Sequence, residues 1–371
     1  MIIGIDASRA KSKERTGTEN YSLNLIVNLS KIDRKNQYIL YLKDDYAKEL
    51  NQLPKNFRLK VIKNKKYWTQ IGLSREILHN RPDILFVPAH ILPLFCPKAS
   101  VLTVHDFTWK YFPEAYSKSD IFLQNLSLKR AIKKQSKIIV YSQSTKSDLL
   151  KFYPLDEKNI NFVKMGFLSI KSEFASDDNR TPKKINSPYI LSVGRLEKRK
   201  NISKLIEAYK LLRKERRIKH KLILVGKPGF GYNEIKNEID SAGAIKEDIV
   251  ETGYVSNDEL GVLFENSSAF VYPSLYEGFG FPILESFAAG TPVVTSNRSS
   301  MPEVAGNGAI LVNPEKPFEI AAALSQIINK KTLGEKLVAN GRKQLLKYSW
   351  ENCALETLKV IESAVKQKGG R

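Results

Sequence analysis

The chain has 371 residues, 42% hydrophobic, 10% aromatic and 27% charged, an ordinary globular composition long enough for two α/β domains, each with its own core. It contains no run of 18 or more apolar residues, which excludes a helical membrane span, and its two cysteines, Cys96 and Cys353, are too far apart in sequence for a disulfide framework or a zinc motif. The charge is strongly basic at +21, split as +13 over residues 1–180 and +8 beyond. That excess suits nucleic acid, an anionic membrane surface, a phosphorylated substrate, or simply lysine-rich solvated faces. The sequence has no helix-turn-helix, aromatic RNP-like strand or zinc-finger spacing, so no nucleic-acid partner is expected.

Short apolar runs alternate with helical patterns from the start: MIIGIDA, QYILYLK, LKVIK, DILFVPA, VLTVHD, KIIVYS and INFVKMG. The opening MIIGIDAS runs directly into a strand and lacks the basic start and cleavage site of a signal peptide, so a cytoplasmic location is expected. KNKKYWTQIGLSREIL, Lys63 to Leu78, sets four positive charges and two aromatics in or beside an amphipathic helix. Such a segment either rests on anionic lipid headgroups or packs Trp68, Ile71 and Leu78 inward. His105 and Asp106 follow a strand end, where open α/β sheets bind ligands; a structural hydrogen bond is the competing reading. A polar stretch, KSEFASDDNRTPKKINSP, has the composition of an interdomain connection.

The alternation then resumes with YILSVG, KLILVG, DIVETG, AFVYPS, TPVVTS and AILVN. Two doubly wound α/β domains facing each other across a cleft follow from this pattern. Their expected limits are 1–170, a linker at 171–187, 188–348, and a last helix at 349–371, capped by Ser349 and packing back toward the first domain.

Three loops of the second half stand after strands. In YILSVGRLEKRKN, Arg195 and Lys200 suit an anionic diphosphate beside a helix N-terminus capped at Asn201, while Lys198 and Arg199 read in part as surface charge. VGKPGFGYNE lacks the Lys-Ser/Thr pair of a Walker loop and the G-x-G-x-x-G dinucleotide spacing. TGYVSNDEL is a turn into a capped helix. Between AFVYPS and TPVVTS lies YEGFGFPILE, which holds Glu277 in a glycine-rich loop and Glu285 in the first turn of a helix opened by Pro282 and closed by Gly290. For Glu285 the competing reading is a carboxylate complementing the helix dipole; for Glu277 it is an ordinary loop acid. No Asp-x-Asp occurs anywhere, so no metal is expected, and Arg195 and Lys200 must supply the charge if a diphosphate leaves.

In order, GRLEKRKN, VGKPGFGY, TGYVSNDEL, YPSLYEGFGFPILESFAAGTPVVTSNRSSMPEVAG and LVNP resemble the C-terminal half of family 4 retaining glycosyltransferases. IDASRA, TGTENYSLNLI and TVHDFTWKYFPE resemble, more weakly, their mannosyl- and rhamnosyltransferase branch. The resemblance implies a GT-B fold of two Rossmann-like domains and metal-independent transfer of a hexose, mannose favoured, from a nucleotide-diphospho-sugar, GDP-mannose ahead of UDP-sugars or dTDP-rhamnose, to a glycan or lipid-linked glycan. It implies no cofactor, and a cytoplasmic enzyme, either free or peripheral on the inner face of the membrane. It further implies that Arg195 and Lys200 bind the donor diphosphate, that Glu277 meets the donor sugar, and that Glu285 holds the ribose hydroxyls. The backbone of Phe279, Gly280 and Phe281 with Gly278, and the turn Gly253, Tyr254 and Val255, would line the donor. His105 would reach the donor sugar from the other domain, and Gly17 would approach the donor phosphates or the acceptor. The loop at Gly17 departs from the family, having one glycine where two are usual. The alternatives are a sugar-nucleotide epimerase or phosphorylase on the same fold, or a non-catalytic nucleotide-sugar-binding protein.

Overall fold

Short runs of β-branched and aromatic residues, bounded by turn residues, form every strand of the computed structural model, which describes residues 1–11, 17–64, 66–167, 187–215 and 218–369. The first seven are β1 (Ile2–Asp6), β2 (Gln37–Leu42), β3 (Phe57–Val61), β4 (Ile84–Val87), β5 (Ala99–Thr103), β6 (Lys137–Val140) and β7 (Ile160–Phe162). The next six are β8 (Tyr189–Val193), β9 (Lys221–Val225), β10 (Ile249–Gly253), β11 (Ala269–Tyr272), β12 (Val293–Ser296) and β13 (Ala309–Val312). Each coincides with one of the apolar runs of the sequence.

The chain divides into two units, Met1–Gly166 with Tyr348–Arg371, and Phe167–Lys347. Each unit has one sheet, ordered β3-β2-β1-β4-β5-β6-β7 in the first and β10-β9-β8-β11-β12-β13 in the second. All neighbouring strands are parallel. A parallel sheet needs crossover helices, which cover both its faces and bury its strands on both sides; β4, β5 and β11 are accordingly buried at every residue. The strand order reverses between β1 and β4 in one sheet and between β8 and β11 in the other. Loops leaving the carboxyl ends of such a pair diverge and open a crevice for ligand.

The first unit is closed by the chain's last helix, Trp350–Gly369, which packs on helix Gly17–Ile32 and on β4, β5 and β6. Ser349 Oγ accepts the Asn352 N–H at 3.3 Å, capping that helix. Trp350 lies so close to Gly166 that a Cβ there would come within 2.5 Å of it, so only glycine lets the chain pass. In the second unit helix Ile202–Lys214 turns Ile202, Leu205, Ile206, Tyr209 and Leu212 into the core, the 3.6-residue stripe expected of a helix lying on a sheet. The linker expected at 171–187 lies almost wholly outside the described residues.

The Lys63–Leu78 segment differs from a simple amphipathic helix. It forms a π-helical turn, Trp68–Leu73, followed by a short helix, Ser74–His79. Trp68 is buried as expected for inward packing, but Ile71 and Leu78 are more than half exposed, at 53% and 59%. The wider π turn shifts the register, so these two do not follow Trp68 into the core.

Candidate active site

The switch point of the second sheet gathers the charged loops. The loop after β8 ends in a 3-10 turn, Lys198–Lys200, and passes through Asn201 in the left-handed region at φ 59°. Asn201 precedes helix Ile202–Lys214 but does not cap it with its side chain, contrary to the sequence reading. Its amide instead donates to the carbonyls of Pro273 (3.2 Å) and Pro314 (2.6 Å). A second tie runs from the Leu275 N–H to the Arg199 carbonyl, 2.9 Å. The loops after β8 and β11 are therefore stitched together on either side of the switch point. At the next loop, Gly226 takes φ 144°, and a Cβ there would meet the Gly194 carbonyl at 2.1 Å; the two strand exits touch through backbone alone.

Glu277 stands at the centre of this arrangement. One carboxylate oxygen pairs with Arg199 Nη1 at 2.7 Å and the other with Lys200 Nζ at 2.6 Å. Lys200 also donates to the Tyr272 hydroxyl at 2.5 Å, and Arg199 reaches Glu197 at 2.6 Å and the Tyr276 carbonyl at 2.8 Å. Glu277 is 8% exposed. Burial acts to raise its pKa, but Arg199 and Lys200 outweigh that and hold the carboxyl at about 2, so it is ionised at any physiological pH. Its backbone is clamped from β12's side: Ser299 and Ser300 hydroxyls donate to the Glu277 carbonyl at 2.5 and 2.9 Å, and Ser300 also to the Phe279 carbonyl at 2.6 Å.

Gly280, at φ 117°, starts helix Phe281–Ala289, with Pro282 in its first turn and Gly290, at φ 76°, ending it. Phe279 is buried, and its ring meets that of Phe281 edge-on at 5.1 Å. Because the helix begins at Phe281, Glu285 falls in the second turn, not the first, and complementing the helix dipole is not its role: no acid occupies the first turn. Burial pushes its carboxyl up to about 7. Among the described residues it has no ion-pair or hydrogen-bond partner, in contrast to Glu277. A half-buried acid without a counter-ion is costly to ionise and is ready to accept hydrogen bonds from a ligand.

The remaining sites are spread around these loops. Arg195 is exposed, its stem against Gly229, and it does not join Lys200 at Glu277. Arg199, read from sequence as partly surface charge, takes that position instead. Gly253 adopts φ 72°; Tyr254 is 67% exposed with Lys227 Nζ 5.3 Å from its ring centroid, and Val255 is buried. Ser256 and Glu259 form a reciprocal capping box for helix Asn257–Glu265. Gly278 sits in the loop between Glu277 and Phe279, in a fully buried stretch.

In the first unit His105 is buried and uses both ring nitrogens, Nε2 with the Pro88 carbonyl at 2.8 Å and Nδ1 with the Tyr141 hydroxyl at 2.7 Å. A carbonyl only accepts, so Nε2 carries the proton and Nδ1 accepts from Tyr141. Burial, reinforced by His90, lowers the pKa of His105 to about 3, which keeps the ring neutral. Among the described residues Asp106 makes no hydrogen bond to it: its carboxylate accepts the Thr108 N–H at 2.8 Å and acts on the ring only through its charge. The adjacent His-Asp of the sequence is therefore not a dyad, because successive residues leaving a strand turn their side chains apart. Gly17 is exposed at the start of helix Gly17–Ile32; the loop before it, 12–16, lies outside the described residues.

Sequence reasoning missed four contributors: Arg199, Tyr272, Ser299 and Ser300. Tyr272 and the serine pair share one signal, their position at the carboxyl ends of β11 and β12. Arg199 had none beyond its adjacency to Lys200.

Two parallel sheets, each with its order reversing after the first strand, define a two-domain α/β fold of the GT-B type. Sucrose-phosphate synthase from Thermosynechococcus elongatus superposes with a TM-score of 0.72 at 15% identity over 98% of both chains. Anabaena Alr3699/HepE, solved in complex with UDP and glucose, gives 0.71 at 17% identity over 98% of this chain and 99% of that one. The profile of the family "Glycosyl transferases group 1" matches residues 173–344. Over 269 residues the chain is 31% identical to the O-antigen chain mannosyltransferase B of Escherichia coli, covering 70% of this chain and 69% of that protein. The chain belongs to the group 1 glycosyltransferases, within the mannosyltransferase-like family 4 enzymes, and is a glycosyltransferase.

Proposed function

We propose that this enzyme transfers mannose from GDP-mannose to a glycan or lipid-linked glycan acceptor, with retention at the anomeric carbon and without a metal. The observation that carries the reading is the Arg199–Glu277–Lys200 cluster at the switch point of the second sheet, followed on the next helix by Glu285, which has no counter-ion among the described residues. Mannose is favoured because the E. coli relative is named a mannosyltransferase of O-antigen chains.

The chemistry assigned to each group follows from its electrostatics. Lys200 and Arg199, with Arg195 at the loop's exposed edge, offset the charge that collects on the departing nucleotide diphosphate. Glu277, ionised throughout, opposes the positive charge that develops on the sugar ring as the bond to the diphosphate breaks. The acceptor hydroxyl then attacks from the face the diphosphate left, its proton passing to the departing diphosphate. Glu285 accepts the ribose hydroxyls, and these replace the water its carboxylate has lost. For metal independence the reading rests on Lys200, Arg199 and Arg195 supplying the positive charge that a departing diphosphate would otherwise draw from a metal ion.

A peripheral position on an anionic membrane, on the cytoplasmic side, is part of the same reading. Among the described residues no helix is long and apolar enough to cross a membrane. On helix Lys118–Lys133 of the first unit, Phe122, Leu126, Lys129 and Lys133 are exposed at spacings of four, three and four. The loop bearing exposed Leu94 and Phe95 bridges this helix to the π turn, through Arg130 to the Pro93 carbonyl (3.1 Å) and the Phe95 N–H to Ser74 Oγ (3.2 Å). Ile71, Leu78, Lys63, Lys66 and Arg75 are exposed on the other side. Apolar side chains interleaved with lysines fit a negatively charged lipid surface.

The test is thermal stabilisation by a panel of GDP-mannose, UDP-glucose, UDP and dTDP-rhamnose, followed by NMR of the anomeric proton in the product. Stabilisation by GDP-mannose above the others and an α product meet the proposal; an inverted anomer, or preference for a UDP-sugar, removes the retaining or the GDP assignment respectively.

A further inference from the structure

We propose that a cavity at the carboxyl ends of β2 and β3 is a saccharide subsite that holds one non-reacting hexose unit of the glycan acceptor. The inference rests on the glycan-transfer reading above and adds to it a place for the acceptor chain. The cavity, of about 230 Å³, is lined by Lys43, Asp44 and Asp45 after β2, by Ile62 and Asn64 after β3, and by Trp68 of the π turn. That volume is below the roughly 300–1,000 Å³ of sites for larger ligands and suits a single sugar ring. Its position is the edge of a parallel sheet from which ligands are bound. In the sheet order β2 lies three strands from β5, about 14 Å at the usual strand spacing. A glycan passing from this cavity toward the β5 end, where His105 lies, would span several sugars.

The lining has the chemistry of sugar recognition. Asp44 and Asp45 are exposed, and among the described residues neither carboxylate is in an ion pair or accepts a side-chain hydrogen bond. Both are placed to accept from vicinal hydroxyls, which are charge-assisted bonds and the stronger kind. Asn64 donates and accepts, and Lys43 donates. Ile62 and Trp68 supply an apolar wall for the C–H face of the ring. That wall is fixed in place: Trp68 is 4% exposed and its indole N–H donates to the Ile62 carbonyl at 3.1 Å. Lys43 Nζ lies 5.7 Å from the indole centroid, which puts a cation on the same wall as the two acids and disfavours a metal ion there. The backbone is also unusual, with Tyr67 at φ 52° leading into the π turn, and irregular helical turns of this kind concentrate at functional sites.

The three tryptophans, Trp68, Trp109 and Trp350, make the test direct. The whole chain is labelled with 5-fluorotryptophan and titrated with linear α-mannotriose under ¹⁹F NMR, the Trp68 line being identified with Trp68→Phe. Trp109→Phe and Trp350→Phe identify it by elimination should that variant not fold. A saturable shift of the Trp68 line alone, weakened at least tenfold in Asp44→Asn/Asp45→Asn, is expected, since two charge-assisted hydrogen bonds are lost. A Trp68 line that mannotriose does not move, an equal shift in the double variant, or the same shift produced by magnesium chloride alone would each overturn the subsite. GDP-mannose binding measured on the same samples separates the two claims. If it binds while Trp68 stays silent, only the subsite falls; if mannotriose moves Trp68 but no nucleotide sugar binds, only the transferase reading falls.

Discussion

Replacing Glu285 by glutamine should make the protein more stable and less able to bind its nucleotide. The carboxyl is pushed from 4.5 to about 7 by burial, and each unit corresponds to about 1.36 kcal/mol, giving an upper limit of about 3.4 kcal/mol. Because Glu285 is only half-buried, water reduces this to roughly 2 kcal/mol. The sign follows from proton binding: between pH 4.5 and 7 the folded state holds more protons than the unfolded state. The stability present below 4.5 therefore falls as pH rises and is lost above about 7. Glutamine mimics the protonated acid and escapes that loss. Glu285→Gln should exceed the wild type by about 2 kcal/mol at pH 8, and by only about 0.8 kcal/mol at pH 5, by the same linkage. For a unit of this size the gain at pH 8 corresponds to roughly 4–8 °C in Tm. Calorimetric melts of both proteins at pH 5 and pH 8 measure it. An equal gain at both pH values, or a lower Tm at pH 8, would refute an uncompensated acid at this position.

Other expectations follow from the same site. Arg199→Ala leaves Glu277 buried with Lys200 alone, and should both lower stability by about 3 kcal/mol, as broken buried pairs do, and cut turnover; wild-type melting would return Arg199 to the surface-charge reading. Glu277→Gln should reduce turnover by roughly a hundredfold, the scale of one transition-state electrostatic contact, with nucleotide affinity little changed; loss of GDP affinity without loss of turnover would reverse the roles given to Glu277 and Glu285. In liposome co-sedimentation, Lys63→Glu/Lys66→Glu/Lys129→Glu should abolish binding to anionic vesicles at low salt, and equal partitioning of variant and wild type would remove the membrane surface.

The strands were legible because a parallel strand buried on both faces must be an apolar run, and every such run became one. The two-glutamate loop and its helix were legible from punctuation, Gly280, Pro282 and Gly290, although the helix started one residue before Pro282 and moved Glu285 into the second turn. What could not be read was pairing in three dimensions. Arg199 looks like its neighbours Lys198 and Lys200 in a lysine-rich chain, and only the crossing of two loops brings it to Glu277. His105 and Asp106 are neighbours in sequence, yet their side chains serve Pro88, Tyr141 and Thr108 because the chain leaves β5 extended. The outward turn of Ile71 and Leu78 depends on a π turn, which periodicity at 3.6 residues does not encode.

Isothermal titration of GDP-mannose at pH 8 in EDTA, on wild type and Lys200→Ala, tests the central claim most directly, that the switch-point loops of the second sheet hold a nucleotide sugar without metal. Saturable binding to the wild type, weakened at least tenfold by the loss of one charge-assisted contact, is the predicted result. Binding that appears only when magnesium or manganese is restored, or that Lys200→Ala leaves unchanged, would contradict it.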